Sequence, residues 1–409
     1  MKKLLLTSVL SLSMTMNSFA QTGDLSQGTV TATGDFTPHQ LKDWMAQNTT
    51  SIFGDGSDGS ISIYGFRDIT LTRDMYYENV TIKGFVHILT NGFRIFVKGT
   101  LDISAAGEYA IVGNYVGAGG ENATSSIGAP GVPIGRVFGA IASSSTIPQA
   151  PYTASNGGTG NATTGINPTQ TNSIVGVGIS GPGGAGGSGG AGMAGTYPGG
   201  SGLPGQTIAI PYSLGSTFPS FYNSYNPVGL FPVAIGAYGG PGGQGGGDGV
   251  NSGGGGGGAA PGGVGVYIAA QYIQRGTNTM QNIIASTGGV GGSGYDSFNT
   301  YNNTGDGGGG GGGSGGLIYI ITGHLLGSTI INALNASGGS GGNGLRTASN
   351  GSSGSYGGGG GGSGAIVVID LENSTKTILQ PFSAGSPGSA PTASSIGIGG
   401  AGAIVQANL

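Results

Sequence analysis

His39, His87 and His324 are the only side chains in this chain with an ordinary pKa near neutrality, and there is no cysteine. The three histidines fall on separate elements, and none has an acidic or nucleophilic partner at a spacing suited to acid–base or covalent catalysis. Ser and Thr are abundant, but none sits in a strand–Gly-x-Ser-x-Gly–helix context. Gly-x-Gly-x-x-Gly matches recur throughout without a strand–turn–helix unit around them, and no Gly-Lys-Ser/Thr occurs, which excludes a P-loop. The pattern predicts a protein that is not an enzyme and needs no cofactor. Asp55-Gly56-Ser57-Asp58-Gly59 has the composition of a calcium turn, with Asp55 and Asp58 as the candidate ligands. With no distal Glu it reads first as a tight turn into a strand. Asp248 and Asp306 flank glycine runs, where a carboxylate can accept hydrogen bonds from loop N–H groups.

The stronger chemistry is that of recognition. Between Tyr212 and Tyr238 the chain carries Tyr212, Phe221, Tyr222 and Tyr225 among Ser and Asn, and between Gly294 and Gly305 it carries Tyr295, Phe298 and Tyr301. Tyr interleaved with Ser, Gly and Asn combines rigid amphipathic area with adaptable hydrogen bonding, as binding loops do. The same aromatics would also serve to cover the ends of a glycine stack, and the sequence leaves both readings open.

Those loops need a scaffold, and the composition is unusual for one: Gly accounts for 96 of 409 residues. Glycine-rich, weakly charged chains ordinarily read as disordered. Here, however, glycine runs alternate with β-branched clusters such as Leu317–Ile321 and Ala365–Ile369, which read as buried strands. At the start, Lys2 and Lys3, an apolar stretch from Leu4 to Met16 and Ser18-Phe19-Ala20 form a signal-peptide pattern over residues 1–20, with Gln21 as the expected mature start. The apolar stretch is too short to span a bilayer, so no membrane insertion is expected. Loss of Lys2 and Lys3 leaves 10 basic against 16 acidic residues. That balance argues against nucleic acid as a partner.

Residues 21–50 read as a cap with a short helix, introduced by the capping box Thr37-Pro38-His39-Gln40. Residues 51–112 read as consecutive short strands around Ile61–Ile63, Ile69–Thr72, Val80–Ile82, Val86–Leu89, Phe93–Val97 and Leu101–Ile103, punctuated by Gly65, Gly84, Gly92 and Gly99. Spacing of this kind suits a β-solenoid-like domain. Residues 113–409 read as a glycine-rich repeat domain with aromatic loops. Gly253–Gly258, Gly307–Gly313 and Gly357–Gly362 are each followed by a strand cluster. Second strands are expected at Asn282–Ala285, Ile330–Ala333 and Thr377–Leu379, and further glycine stretches follow at 288–292 and 338–342. From Gly183 the glycines recur in triplets, a period that fits extended polyproline-II-type helices. Such helices have no internal hydrogen bonds, so their backbone groups must pair with neighbours. Collagen is excluded by the short triplet runs and by a total of only 18 prolines. The expected fold is all-β: a solenoid-like domain followed by strand-edged polyglycine-II layers.

Phe53–Gly59, Leu71–Tyr77 and Gly92–Leu101 resemble a module of phage tail-fibre and bacterial surface proteins. The Gly-Gly-x blocks from Gly181 onward resemble the glycine-rich tail-tip adhesins of T-even-like phages. That resemblance implies a polyglycine-II sandwich whose loops at one end bind a host outer-membrane receptor. This chain differs from that pattern in carrying a signal-peptide-like start. The reading is thus an extracellular or cell-surface adhesin or recognition protein, with a cell-surface glycan or outer-membrane protein as partner. The alternative is a self-associating subunit of an extracellular filament or matrix, in which Ala403-Ile404-Val405 could add to a neighbour's sheet edge. Ice binding by a flat glycine-rich face is the third reading.

Overall fold

The computed structural model describes residues 52–113, 187–189, 191, 199–203, 242, 254–276, 280–294, 305–344, 355–373, 375–379, 385–389 and 398–409. The expected cap helix at 21–50 lies outside them, as does the signal-peptide segment. The described part is all-β and contains no helix. Its strands are β1 (Ile61–Thr70), β2 (Met75–Tyr77), β3 (Val80–Leu89), β4 (Arg94–Ala106), β5 (Ile111–Val112), β6 (Val266–Gln274), β7 (Ile284–Ala285), β8 (Leu317–Leu326), β9 (Leu334–Asn335), β10 (Ala365–Asp370), β11 (Thr375–Leu379) and β12 (Gln406–Ala407). All belong to one sheet, curled into a nearly closed, barrel-like form, with the path β11-β10-β8-β6-β4-β3-β5-β7-β9-β12 and, off that path, β1 paired with β3 and β2 with β4.

Pairing is parallel except at the carboxy-terminal side, where β11 runs antiparallel to β10 and β12 antiparallel to β9. Parallel strands buried on both faces should be continuous apolar runs rather than alternating ones. β6, β8 and β10 follow that rule: Val266–Ala270, Leu317–Ile321 and Ala365–Ile369 are buried throughout. Alternate residues serve two cores. Ile268, Ile320 and Ile366 face inward onto Ile82, Leu101, Ile284 and Leu334. Tyr267, Tyr319 and Val367 occupy the opposite face with Phe53 and Phe96.

Several local expectations shift. Gly65 and Gly84 do not separate strands. They sit inside β1 and β3 at φ 94 and 76, so each strand bends without ending. The second strand expected at Ile330–Ala333 lies instead at Leu334–Asn335, because Asn332 adopts φ 51 and turns the chain first. That turn is stacked: Tyr109 N–H donates to the Asn282 carbonyl at 2.9 Å, and Asn282 N–H to the Asn332 carbonyl at 2.8 Å, all three residues at positive φ. Thr377–Leu379 is not the counterpart of β7 and β9, since it folds back on β10. The turn responsible is fixed by the Asp370 carboxylate, which accepts from the Glu372 and Asn373 N–H groups. The carboxy-terminal segment proposed to join a neighbour is paired within the chain. Ala403 N–H donates to the Gly361 carbonyl, and the Ala403 and Val405 carbonyls accept from Gly338 and Ala336.

The glycine runs emerge from the ends of these strands and are joined laterally by their backbones. Residues 305–316 lie at the centre. Gly309, Gly312 and Gly315 donate to the carbonyls of Tyr356, Gly359 and Gly362. Gly310, Gly313 and Gly316 donate to Gly292, Gly289 and Ser286. The carbonyls of Gly305, Gly308, Gly311 and Ser314 accept from Gly254, Gly257, Ala260 and Gly263, and those of Gly310 and Gly313 from Gly342 and Gly339. Each neighbour is therefore contacted at every third residue. None of the described glycines in these runs has a left-handed φ. What they contribute is the missing side chain: a Cβ on Gly310 would stand 2.0 Å from the Gly258 carbonyl oxygen.

Candidate recognition site

The far end of this glycine bundle is where the aromatic segments attach. Gly294, which precedes Tyr295, sits directly against Gly307, which follows the same segment on its return, and its N–H donates to the Asn343 carbonyl at 3.0 Å. Gly344, which precedes residues 345–354, sits against Ser355 and Tyr356 on the return. Ser389 N–H donates to the Ile398 carbonyl at 2.9 Å, pinching together the two sides of 390–397. Gly242, which follows the segment containing Tyr212 and Tyr225, donates to the Gly257 carbonyl and abuts Gly308. Tyr356 N–H donates to Ser188, adding the segment around residue 188 to the same end. The structure thus gathers the roots of these segments at one end of the bundle. Tyr356 and Ile398, 48% and 58% exposed, are the large side chains that the described part presents there.

The candidate contact residues Tyr212, Phe221, Tyr222, Tyr225, Tyr295, Phe298 and Tyr301 lie outside the described residues. Asp55 and Asp58 lie within them, on the turn before β1. Asp55 Oδ1 accepts from the Ser57 N–H at 2.9 Å, and the hydrogen bonds from Ser57 hold its carboxyl below the usual range. Asp58 receives Arg73 through Nη1 and Nη2 at 3.1 and 2.5 Å, and also the Tyr76 N–H at 2.7 Å. The Arg73 hydrogen bond, with that of the Tyr76 N–H, holds the Asp58 carboxyl below its ordinary value. Asp55 therefore closes the turn on itself, and Asp58 fastens it to Arg73 and to β2. Among the described residues, no three His, Cys, Asp or Glu side chains come together as a metal site would require.

His87 faces Asp68 at 2.9 Å on the surface of β3 and β1, and His324 faces Glu372 at 3.2 Å beside β8. Each is an exposed imidazole facing a carboxylate, and the two lie on different strands. Asp306 is buried at the loop-bearing end of segment 305–316, and Asp248 lies outside the described residues. Sequence reasoning missed a group of exposed aromatics: Tyr64 and Phe66, 72% and 86% exposed, with Phe66 stacked on Phe85 at 5.4 Å. The signal for that stack was present in the sequence as two Gly-Phe pairs, Gly65-Phe66 and Gly84-Phe85, which the parallel register sets side by side. No protein-family model matches this chain, and neither does any curated protein or solved structure. Among the described residues, no helix is long and apolar enough to cross a membrane.

Proposed function

We propose that this chain is an exported, non-enzymatic recognition protein that presents aromatic and polar loops on a rigid glycine scaffold. In this reading residues 1–20 are removed as a signal peptide, the mature chain from Gln21 is extracellular or surface-held, and the partner is a cell-surface glycan or outer-membrane protein. Residues 51–112 act as a solenoid-like base, and the glycine runs are polyglycine-II helices in layers. Lateral donation at every third residue supports the layers, because a helix of three residues per turn returns the same N–H to the same neighbour once per turn.

The observation that carries the function is the convergence of the loop roots at one end of the bundle, Gly294 on Gly307 and Gly344 on Tyr356. A recognition surface built from several loops needs fixed anchors, since ordering mobile side chains on binding reduces affinity. The backbone lattice supplies those anchors without large side chains of its own. The test is the double substitution Tyr295→Ala with Tyr301→Ala. It is expected to leave the melting temperature within about 1 °C, as surface changes usually do, and to abolish binding to whole cells. A variant that still binds cells contradicts the proposal.

A further inference from the structure

A second surface, away from the loop-bearing end, has its own organisation. Five strands cross it in unbroken register: Ile61, Val80, Leu101, Ile273 and Leu325 are mutual neighbours on β1, β3, β4, β6 and β8. These five belong to the inner core or pack against it. Side chains alternate across a strand, so the next residue on each strand points outward. That outward column reads Ser62, Thr81, Asp102, Gln274 and Leu326. On the other side of the inward column, Thr100, Tyr272 and His324 stand in register and also point out. The Tyr272 and His324 rings are stacked at 5.1 Å and 14°, with Tyr272 37% exposed. His324 is held in place by Glu372.

From these columns we infer a binding face for a neutral, linear polysaccharide lying across the strands. The face is rich in hydroxyl, amide and carboxylate groups, repeating from Ser62 to Gln274 at the inter-strand distance of about 4.8 Å over a span of roughly 14 Å. That is a periodic array of donors and acceptors suited to the hydroxyls of a repeating sugar chain. The stacked Tyr272–His324 pair adds a flat platform for the apolar face of a sugar ring. A protein partner would call for a broad apolar centre, and these columns offer only Tyr272 and Leu326 as large apolar side chains, both on the β6–β8 side. The Asp102 carboxylate in the middle of the column disfavours an anionic polymer. An ice surface would need an even array, which the projecting rings of Tyr272 and His324 interrupt. The inference is independent of the loops and extends the function to a second class of contact.

The test is affinity electrophoresis of the full mature chain through gels containing soluble cellulose derivatives, mannan, dextran, glycol chitin or alginate. Retardation by at least one neutral polymer, and none by alginate, is expected. Tyr272→Ala should weaken that retardation about tenfold, the loss typical of one well-placed aromatic contact. Thr81→Ala combined with Gln274→Ala changes two outward residues without touching the aromatic pair, and should weaken it as well. Tyr295→Ala with Tyr301→Ala should leave it unchanged. Migration unaffected by every neutral polymer overturns the inference, as does preference for alginate or unchanged retardation in both face variants. Loss of retardation only in the loop variant would assign sugar binding to the loops and remove it from this face.

Discussion

The side-chain core of residues 61–112 and the glycine segments at 254–263, 288–294, 305–316, 338–344 and 355–364 achieve the same end, a densely packed interior, by opposite means. In the first region side chains fill the space: Ile63, Ile82, Leu101 and Ile103 are buried in a shared core. In the glycine bundle only small side chains such as Ala260 and Ser314 are buried between the segments, and at Gly257, Gly291, Gly310 and Gly313 a neighbour's carbonyl oxygen occupies the place where a Cβ atom would be. The first kind of interior depends on apolar area removed from water. The second depends on hydrogen bonds and close backbone contact, and must offset the large entropy cost of ordering glycine. The contrast teaches that a glycine-rich composition is compatible with order when every run has neighbours on several sides. It also makes the two regions respond in opposite directions to a change in side-chain size.

The largest expected effect is that of Gly310→Val. Its Cβ would lie 2.0 Å from the Gly258 carbonyl oxygen, so whole segments must move apart. Overpacking and the loss of about three lateral hydrogen bonds together give a cost of about 4–6 kcal/mol. Denaturant melts should show this loss, and a Gly310→Val protein of unchanged stability would mean that the runs are linkers. Next is the reverse change in the side-chain-packed region. Leu101→Ala leaves a cavity in a fully buried site and should cost about 3 kcal/mol in the same assay. A negligible loss there would remove the distinction between the two interiors.

The smallest effect is electrostatic and is confined to the amino-terminal region. Asp58 is held below the ordinary value of 3.8, first by the Arg73 hydrogen bond and also by the Tyr76 N–H. A carboxylate with a depressed folded-state pKa contributes stability above its unfolded value, and that contribution is lost as pH falls through the folded value. The melting temperature should therefore drop as the pH is lowered below the ordinary carboxylate value of 3.8. Asp58→Asn should melt lower at neutral pH and show a shallower acid drop. An acid profile identical in both proteins would show that the Asp58–Arg73 pair contributes nothing.

Much of the architecture was legible in the sequence because strand residues announce themselves. Leu317–Ile321 and Ala365–Ile369 are apolar throughout, and both are strands buried on two faces. Less legible was where strands bend or reverse. Gly65 and Gly84 looked like breaks because glycine marks turns, yet the bend is absorbed inside a continuous ladder. The direction of β11 depends on hydrogen bonds from Glu372 and Asn373 to Asp370, and apolar patterning carries no information about them. Lateral order in the bundle was hidden for a related reason. All glycine runs look alike, so nothing in the letters pairs Gly310 with Gly292 and Gly342 rather than with another glycine. For the candidate site, aromatic content marked the loops, while the convergence of their roots emerged only from that lateral pairing. The outward column from Ser62 to Leu326 was illegible because its members lie far apart in the chain.

The claim on which the rest depends is that the glycine runs form a fixed backbone lattice. Amide hydrogen exchange across residues 305–316 measures this directly, since protection reports hydrogen bonds that open only with local or global unfolding. Gly309, Gly310, Gly312, Gly313, Gly315 and Gly316 each donate to a neighbouring segment. Their exchange should be slowed as strongly as that of the buried strands β6 and β8. Exchange of these six amides at the rate of an unstructured peptide, with β6 and β8 still protected, would contradict the account.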